Sequence, residues 1–402
     1  MTALKGLKVV DLTHIMAGPT CTLMLADMGA DVIKVEKVPG GDDTRRSTPP
    51  TIGEESAAYL MMNRNKRGIA LDLRQEGGRE VLHRLLADAD VLVENYRPNT
   101  LKKLGFGYDV LKERNPGLIY CAVSGFGRSG PYGERGGFDL VAQAMSGIMS
   151  ITGTSRGEPP VKCGAPLTDI TAGLLSVIGI LAALQHRNAT GRGQMVDTSL
   201  FEAGIIHTYW QSAMTLATGV SPGPMGSAHP LSAPYQAFET EDGWIVVGGS
   251  NQSNWLRLVE VLEAPELAAD PRFAENRDRM VNLEALEQAL APHFRRRPSG
   301  DWLARLERAG VPAGPVYDIA QMHADPQTKA REMVVELPHS SLGTVKSLGL
   351  PVKFSETPGG PRRGAPLYGE HTREVLLERG FSEAEIDALA GAGAIVDGRA
   401  AA

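Results

Sequence analysis

Short apolar runs alternate with stretches of helical spacing through the first half of the chain. KVVDL (8–12), DVIKVE (31–36), IALDL (69–73), DVLVENY (90–96), LIYCAVS (118–124) and MVDTSL (195–200) are brief, rich in Val, Ile and Leu, and read as strands. CTLMLADMGA (21–30) and EGGREVLHRLLADA (76–89) repeat their apolar positions at three- and four-residue intervals and read as helices. A longer run, ITAGLLSVIGILAALQHR (170–187), has the same helical spacing and precedes the last of these strands. Apolar strands separated by helices predict an α/β fold with a mostly parallel sheet covered on its faces.

The pattern changes after about residue 205. SPGPMGSAHPLSAP (221–234) is a Pro-, Gly- and Ser-rich link. YQAFETEDGWIVVGG follows and predicts a hairpin turning at Asp242-Gly243. Helical spacing then dominates from 251 to 310, and the tail returns to strand-like VVEL (334–337) and PVKF (351–354) before a helix at HTREVLLERG. These changes predict a large domain built from residues 1–205 and 331–402, with a smaller α+β domain inserted at 206–330. A chain of 402 residues agrees with two domains.

Composition narrows the class. Hydrophobic residues at 42% and charged residues at 22% describe a soluble globular protein, and a net charge of −6 gives no reason to expect nucleic acid as a partner. Cys21, Cys121 and Cys163 form no CxxC pair and read as reduced thiols, the amino terminus carries no signal pattern, and a cytoplasmic location is expected. The apolar run at 172–184 is too short to cross a bilayer, so no membrane is expected as a partner. Gly125-Phe126-Gly127-Arg128-Ser129-Gly130 matches GxGxxG, yet Pro131, Gly133, Gly136 and Gly137 follow it, and no helix opens there to receive a pyrophosphate. The histidines have no metal-ligand spacing, and no metal site is expected.

One carboxylate stands among small and apolar residues, Asp169 in GAPLTDITAG (164–173), directly before the long helical run. An Asp at such a junction commonly serves only as an N-cap. The unpaired N–H groups and positive dipole of a helix start also keep a carboxylate ionised, and an accessible one can act as a nucleophile.

Several segments together decide between these readings. TGRGQMVDTSLFEA (190–203), VIKVEKVPGGD (32–42), NRNKRGIALDL (63–73), DVLVENYRPNTLKKLGFGYDVL (90–111) and GEHTREVL (369–376) resemble the class III coenzyme A transferases of the formyl-CoA transferase, or CaiB-BaiF, type. The resemblance runs from HIMAGP (14–19) to the C-terminal helix, and GAPLTDITAG is similar to the family's catalytic-aspartate segment. It implies a Rossmann-like large domain, a small inserted domain and a homodimer of interlocked rings. It also implies Asp169 as the nucleophile, forming a mixed anhydride and then an aspartyl-CoA thioester. Coenzyme A and acyl-CoA are then substrates, with no permanently bound cofactor. Lys37, Arg74, Arg97 and Lys103, with Leu71, Asn95 and Tyr96, correspond to positions toward the nucleotide end, and His14 and Ala17 to the loop near the thioester.

The chain departs from the formyl-CoA/oxalate branch at two places, with Met16 in the first loop and GSAHPLSAPYQAF (226–238) at the small-domain entry. These departures point away from oxalate, and the GSAHPL segment resembles members that take succinyl-CoA with larger mono- or dicarboxylates, which implies succinyl-CoA as donor and a dicarboxylate as acceptor. The α-methylacyl-CoA racemases share the fold and are the alternative, but they need a His-Asp step before the central helix, where this chain has Gly137-Phe138-Asp139. A non-catalytic CoA-binding protein is the second alternative, and the intact Asp169 segment argues against it.

Overall fold

The computed structural model describes residues 1–398. They divide into two compact units. One comprises Met1–Gly147, Cys163–His207 and residues 326–398; the other comprises Ile148–Lys162 and Thr208–Asp325. The segment Ile148–Lys162 thus falls in the second unit, whereas the sequence placed it in the first. That stretch has no strand and only one helical turn, Ile148–Ile151, so its periodicity carries no sign of where it packs.

The first unit is built on a seven-stranded sheet. Strands β1 (Lys8–Asp11), β2 (Asp31–Lys37), β3 (Arg67–Leu71), β4 (Val91–Glu94), β5 (Ile119–Ser124) and β6 (Met195–Ser199) are parallel. A two-residue strand, β7 (Ile395–Val396), pairs antiparallel with β3 at the edge. The spatial order is β7-β3-β2-β1-β4-β5-β6. The chain winds outward from β1 to β3 and then crosses back to β4, so β1 and β4 flank the switch point at which doubly wound sheets bind ligands.

Successive residues of each strand point to opposite faces, and in β1 to β5 both faces are buried, while β6 alternates exposed and half-buried residues. Val10, Ile33 and Ile69 pack with Leu82 and Leu85 of helix α2 (Glu76–Leu86), while Val9, Val32 and Val93 pack on Leu25 of helix α1 (Ala17–Asp27). This two-sided burial is why the strands read as continuous apolar runs. Helix α1 begins four residues earlier than its apolar spacing predicts, because Pro19 is tolerated in a first turn.

Two further helices carry the site, α3 (Asp139–Met145) and α4 (Leu167–Thr190). At 24 residues, α4 is long and apolar enough by length and composition to cross a membrane, which the shorter run at 172–184 did not suggest. In this fold its Ala172, Val177, Ile180 and Ala183 stripe is buried in the core beside α1. Gly173 permits the close approach, since a Cβ there would lie 2.5 Å from the Ala17 carbonyl oxygen and 2.7 Å from Thr20 Cβ. Asp169 lies inside the first turn of α4; the N-cap position is Pro166, and Asp169 does not serve as the cap.

In the tail, Val334–His339 pairs antiparallel with Gly343–Leu348. PVKF (351–354) forms no strand; Phe354 packs on the core while Val352 is exposed, so the two apolar positions of its sequence alternation do not share one face.

The second unit has its own three-stranded antiparallel sheet, with Trp244–Gly248 between Tyr235–Glu239 and Ala313–Pro315. Its core is aromatic, with Trp255, Phe273, Phe294 and Trp302 buried. The hairpin turn is tied down by Asp242, whose carboxylate accepts from the Ser299 N–H at 2.7 Å.

Candidate active site

The loops leaving β1 and β4 diverge at the switch point and are laced together there. Asn95 accepts from the His14 N–H at 3.0 Å and donates to the His14 carbonyl at 2.8 Å. Beneath them lies a buried charged network. Asp11 accepts from Thr13, from the Thr22 hydroxyl at 2.7 Å and from Lys66 at 3.0 Å. Lys34 donates to the Thr13 carbonyl and to Asp42 at 2.7 Å, and Asp42 accepts from the Ile15 N–H at 3.2 Å. Ile15 has a left-handed φ of 69°, rare for a β-branched residue, and the Asp42 contact holds it there. Burial pushes Lys66 down to about 8 despite the facing Asp11. For Asp42, burial opposes ionisation, but Lys34 and the Thr44 hydrogen bonds hold its carboxyl well below the usual range.

The strand β5 ends in a glycine-rich loop that returns on itself before α3. A Cβ on Gly125 would lie 2.6 Å from Gly137 Cα, so the two backbones pass at a distance only glycine allows. Asp139, at the start of α3, accepts from the Thr168 N–H at 2.9 Å, the Thr168 hydroxyl at 2.7 Å and Gln143 at 2.7 Å. Asp169, the next residue along α4, is half-buried and its carboxylate takes no hydrogen bond among the described residues. Burial, with the Asp139 charge behind it, pushes Asp169 up to about 7. The sequence reading expected the helix start to keep it fully ionised. Loss of hydration and a like charge outweigh the dipole, whose effect is typically under about 1 kcal/mol.

A cavity of about 370 Å³ opens in front of Asp169, walled by His14, Met16, Ala17, Asn95, Tyr96 and Arg97, and by Ser124, Gly125 and the Arg135–Phe138 segment. A second cavity, of about 290 Å³, is lined by Thr13, His14, Lys34, Lys37, Tyr96 and Arg97. A third, of about 280 Å³, is lined by Lys37, Val38, Pro39, Leu71, Arg74, Tyr96 and Leu104. Tyr96 borders all three, so they form a series from Asp169 to Arg74.

The predicted residues fall along this series as follows. Asp169, Ala17 and Asn95 line the first cavity; His14, Tyr96 and Arg97 line the first and second. Leu71 and Arg74 line the third, and Lys37 the second and third. Lys103 lines none of them and stands exposed on the single turn Thr100–Lys103. Lys37 is paired with Asp43 at 2.7 Å, both exposed, and the exposed guanidinium of Arg74 with the buried Asp72 carboxylate at 2.8 Å, leaving both cations open to a phosphate. Burial, reinforced by Lys34, lowers the pKa of His14, so its imidazole is neutral near pH 7. Tyr59 is away from these cavities, fully buried with its hydroxyl on Glu36 at 3.0 Å. The sequence reading missed Arg135, Phe138, Ser124 and the Lys34–Asp42 pair. The glycines from 125 to 137 were the available signal, because they marked a close backbone approach rather than a failed phosphate loop.

The model of CoA-transferase family III matches residues 4–372 of the chain. The chain belongs to that family. Human succinyl-CoA:glutarate CoA-transferase is 38% identical over 93% of this chain and 85% of its own length. The acetyl-CoA:oxalate CoA-transferase of Acetobacter aceti is 40% identical over 91% of this chain and 95% of its own. The second relative is named for oxalate, the acid from which the departures at Met16 and 226–238 pointed away. The crystal structure of a CaiB/BaiF family protein from Brucella suis superposes with a TM-score of 0.84 at 43% identity, covering 94% of this chain and 99% of that one. This family III CoA-transferase therefore has a mainly parallel α/β fold shared with a solved member, and its substrates include CoA thioesters.

Proposed function

We propose that this enzyme moves coenzyme A from succinyl-CoA to a dicarboxylic acid through covalent intermediates on Asp169. The observation that carries the reading is the Asp169 carboxylate itself, free of protein hydrogen bonds at the wall of a cavity that continues to the Lys37 and Arg74 cations.

An ionised Asp169 attacks the donor thioester carbonyl, giving an aspartyl–acyl anhydride and CoA thiolate. The thiolate attacks the aspartyl carbonyl, releasing the donor acid as its carboxylate and leaving an aspartyl-CoA thioester. The acceptor carboxylate then attacks that thioester and frees the thiolate, which takes the acyl group from the new anhydride and restores Asp169. No water enters the balance, and burial of Asp169 beside Phe138 keeps water scarce where both intermediates would hydrolyse. Lys37, Arg74 and Arg97 are suited to the phosphates of CoA, and Leu71 with Pro39 to its adenine.

Dicarboxylates are the favoured acceptors because two relatives, matched over 93% and 91% of the chain, are named for glutarate and oxalate. The racemase reading is weaker, because Phe138 offers no proton-transfer group on the cavity wall. A cytoplasmic homodimer that keeps no resident cofactor, and engages neither nucleic acid nor membrane, completes the proposal. Leu174, Ile178 and Leu181, exposed together along α4, suit burial against a second copy.

The test is chromatography of the purified protein with succinyl-CoA and glutarate, malate, citramalate, itaconate, mesaconate or oxalate. One new acyl-CoA should form as succinyl-CoA disappears in equal amount, and Asp169→Ala should fold yet transfer nothing. Silence across the panel, or near-normal turnover by Asp169→Ala, would overturn the reading.

A further inference from the structure

Three basic side chains border the Asp169 cavity, and they are not equivalent. His14 is neutral near pH 7, for burial and Lys34 both lower its pKa. Arg97 also borders the neighbouring cavity that leads to Lys37, so it belongs as much to the nucleotide path as to the reaction centre. Arg135 borders the Asp169 cavity alone among the three cavities of the series.

Its guanidinium is held but not paired. It stacks over the Tyr132 ring at 4.1 Å, and the Arg135 N–H closes a turn onto the Tyr132 carbonyl at 2.9 Å. The close pass of Gly125 and Gly137 anchors the loop just beyond it. Among the described residues its side chain forms no ion pair and no hydrogen bond, whereas Arg128 in the same loop is bound to Glu94 at 2.5 Å. The cavity's other acidic residue, Asp43, is already engaged by Lys37 and Arg46. A stacked guanidinium with its fork unfilled is arranged for bidentate binding of a planar anion.

We propose that Arg135 binds the unreacting carboxylate of a dicarboxylic acid while its other carboxylate meets Asp169, and so selects dicarboxylates over monocarboxylates. The inference rests on the proposed transfer to dicarboxylates. The CoA phosphates are the competing source of the same anionic chemistry. They are served by Lys37, Arg74 and Arg97 along the other two cavities, which Arg135 does not reach. Donor and acceptor acyl groups occupy this position in turn, so one side chain reads both.

The experiment compares glutarate with pentanoate, which has the same chain length and one carboxylate, as acceptors from a single donor. In Arg135→Gln the glutarate-to-pentanoate ratio of kcat/KM should fall about 10- to 100-fold, the loss expected for a charged hydrogen-bonded pair. Arg135→Lys should recover part of the ratio, and inhibition by free CoA should stay within about twofold of wild type. A preserved ratio, or an unchanged ratio with weakened CoA inhibition, overturns the assignment. Binding is read separately by the rise in unfolding temperature that glutarate, but not pentanoate, gives the wild type and not Arg135→Gln. A wild type that shows this rise but transfers no CoA sinks the functional reading and leaves the glutarate subsite standing; the absence of both sinks both.

Discussion

Asp139 accepts two hydrogen bonds from Thr168, one from its backbone N–H at 2.9 Å and one from its hydroxyl at 2.7 Å. Thr168 precedes Asp169, so this pair fixes the first turn of α4 and sets a second carboxylate near that of Asp169. The contact therefore acts on the site in two ways, through geometry and through charge.

The charge sets a pH dependence. In the proposed mechanism Asp169 must be ionised to attack, and burial with the Asp139 charge pushes it up to about 7, so kcat/KM should climb through pH 7 and level off above it. Asp139→Asn keeps an amide oxygen for Thr168 but removes the charge. The acidic limb should then move to lower pH with the alkaline plateau little changed. A limb that stays in place would show that burial alone sets the pKa.

The same shift has a stability consequence of definite sign. A carboxyl whose folded pKa is raised contributes its full stabilisation below the ordinary value of 3.8 and loses it as pH rises through about 7. Asp169→Asn should therefore unfold at a temperature equal to or above wild type at pH 8. The difference between the two should vanish at pH 4, as calorimetry across the range would read.

The Lys34–Asp42 pair should be the most sensitive element beneath the site. Both side chains are about 1% exposed, and Asp42 also holds the Ile15 N–H. Asp42→Ala leaves Lys34 buried without its carboxylate and should cost about 3–5 kcal/mol in urea unfolding. A loss below about 1 kcal/mol would mean that water replaces the pair.

Gly125→Ala should act locally. The new Cβ meets Gly137 backbone at 2.6 Å, not a flexible side chain, so the Arg135–Phe138 wall must move. Turnover should fall by about 10-fold or more, as displacements near 1 Å do, with a smaller change in unfolding temperature. Equal losses in both would place the strain in the core instead.

Much of this was legible from residues in a row. Strands β1 to β5 declared themselves because each is buried on both faces, which makes its own composition sufficient, whereas β6 alternates exposed and half-buried residues and was marked by its β-branched Val196 and Thr198. Asp169, Lys37, Leu71 and Arg74, singled out because motifs keep their spacing, line the series of cavities. Lys103 lies outside the cavities because a short exposed turn carries no periodic signal of its direction. PVKF imitated a strand because alternation does not reveal whether a hydrogen-bonding partner exists.

The sequence by itself determined the alternation of strand and helix and the family, and singled out Asp169 as the candidate nucleophile, since these depend on local side-chain pattern. Tertiary structure decided that Asp169 titrates near 7, that Asp139 stands behind it, and that Arg135 faces the cavity unpaired. Desolvation and Coulomb interaction depend on distance through space, and Asp139 and Asp169 are thirty positions apart until the fold brings them together.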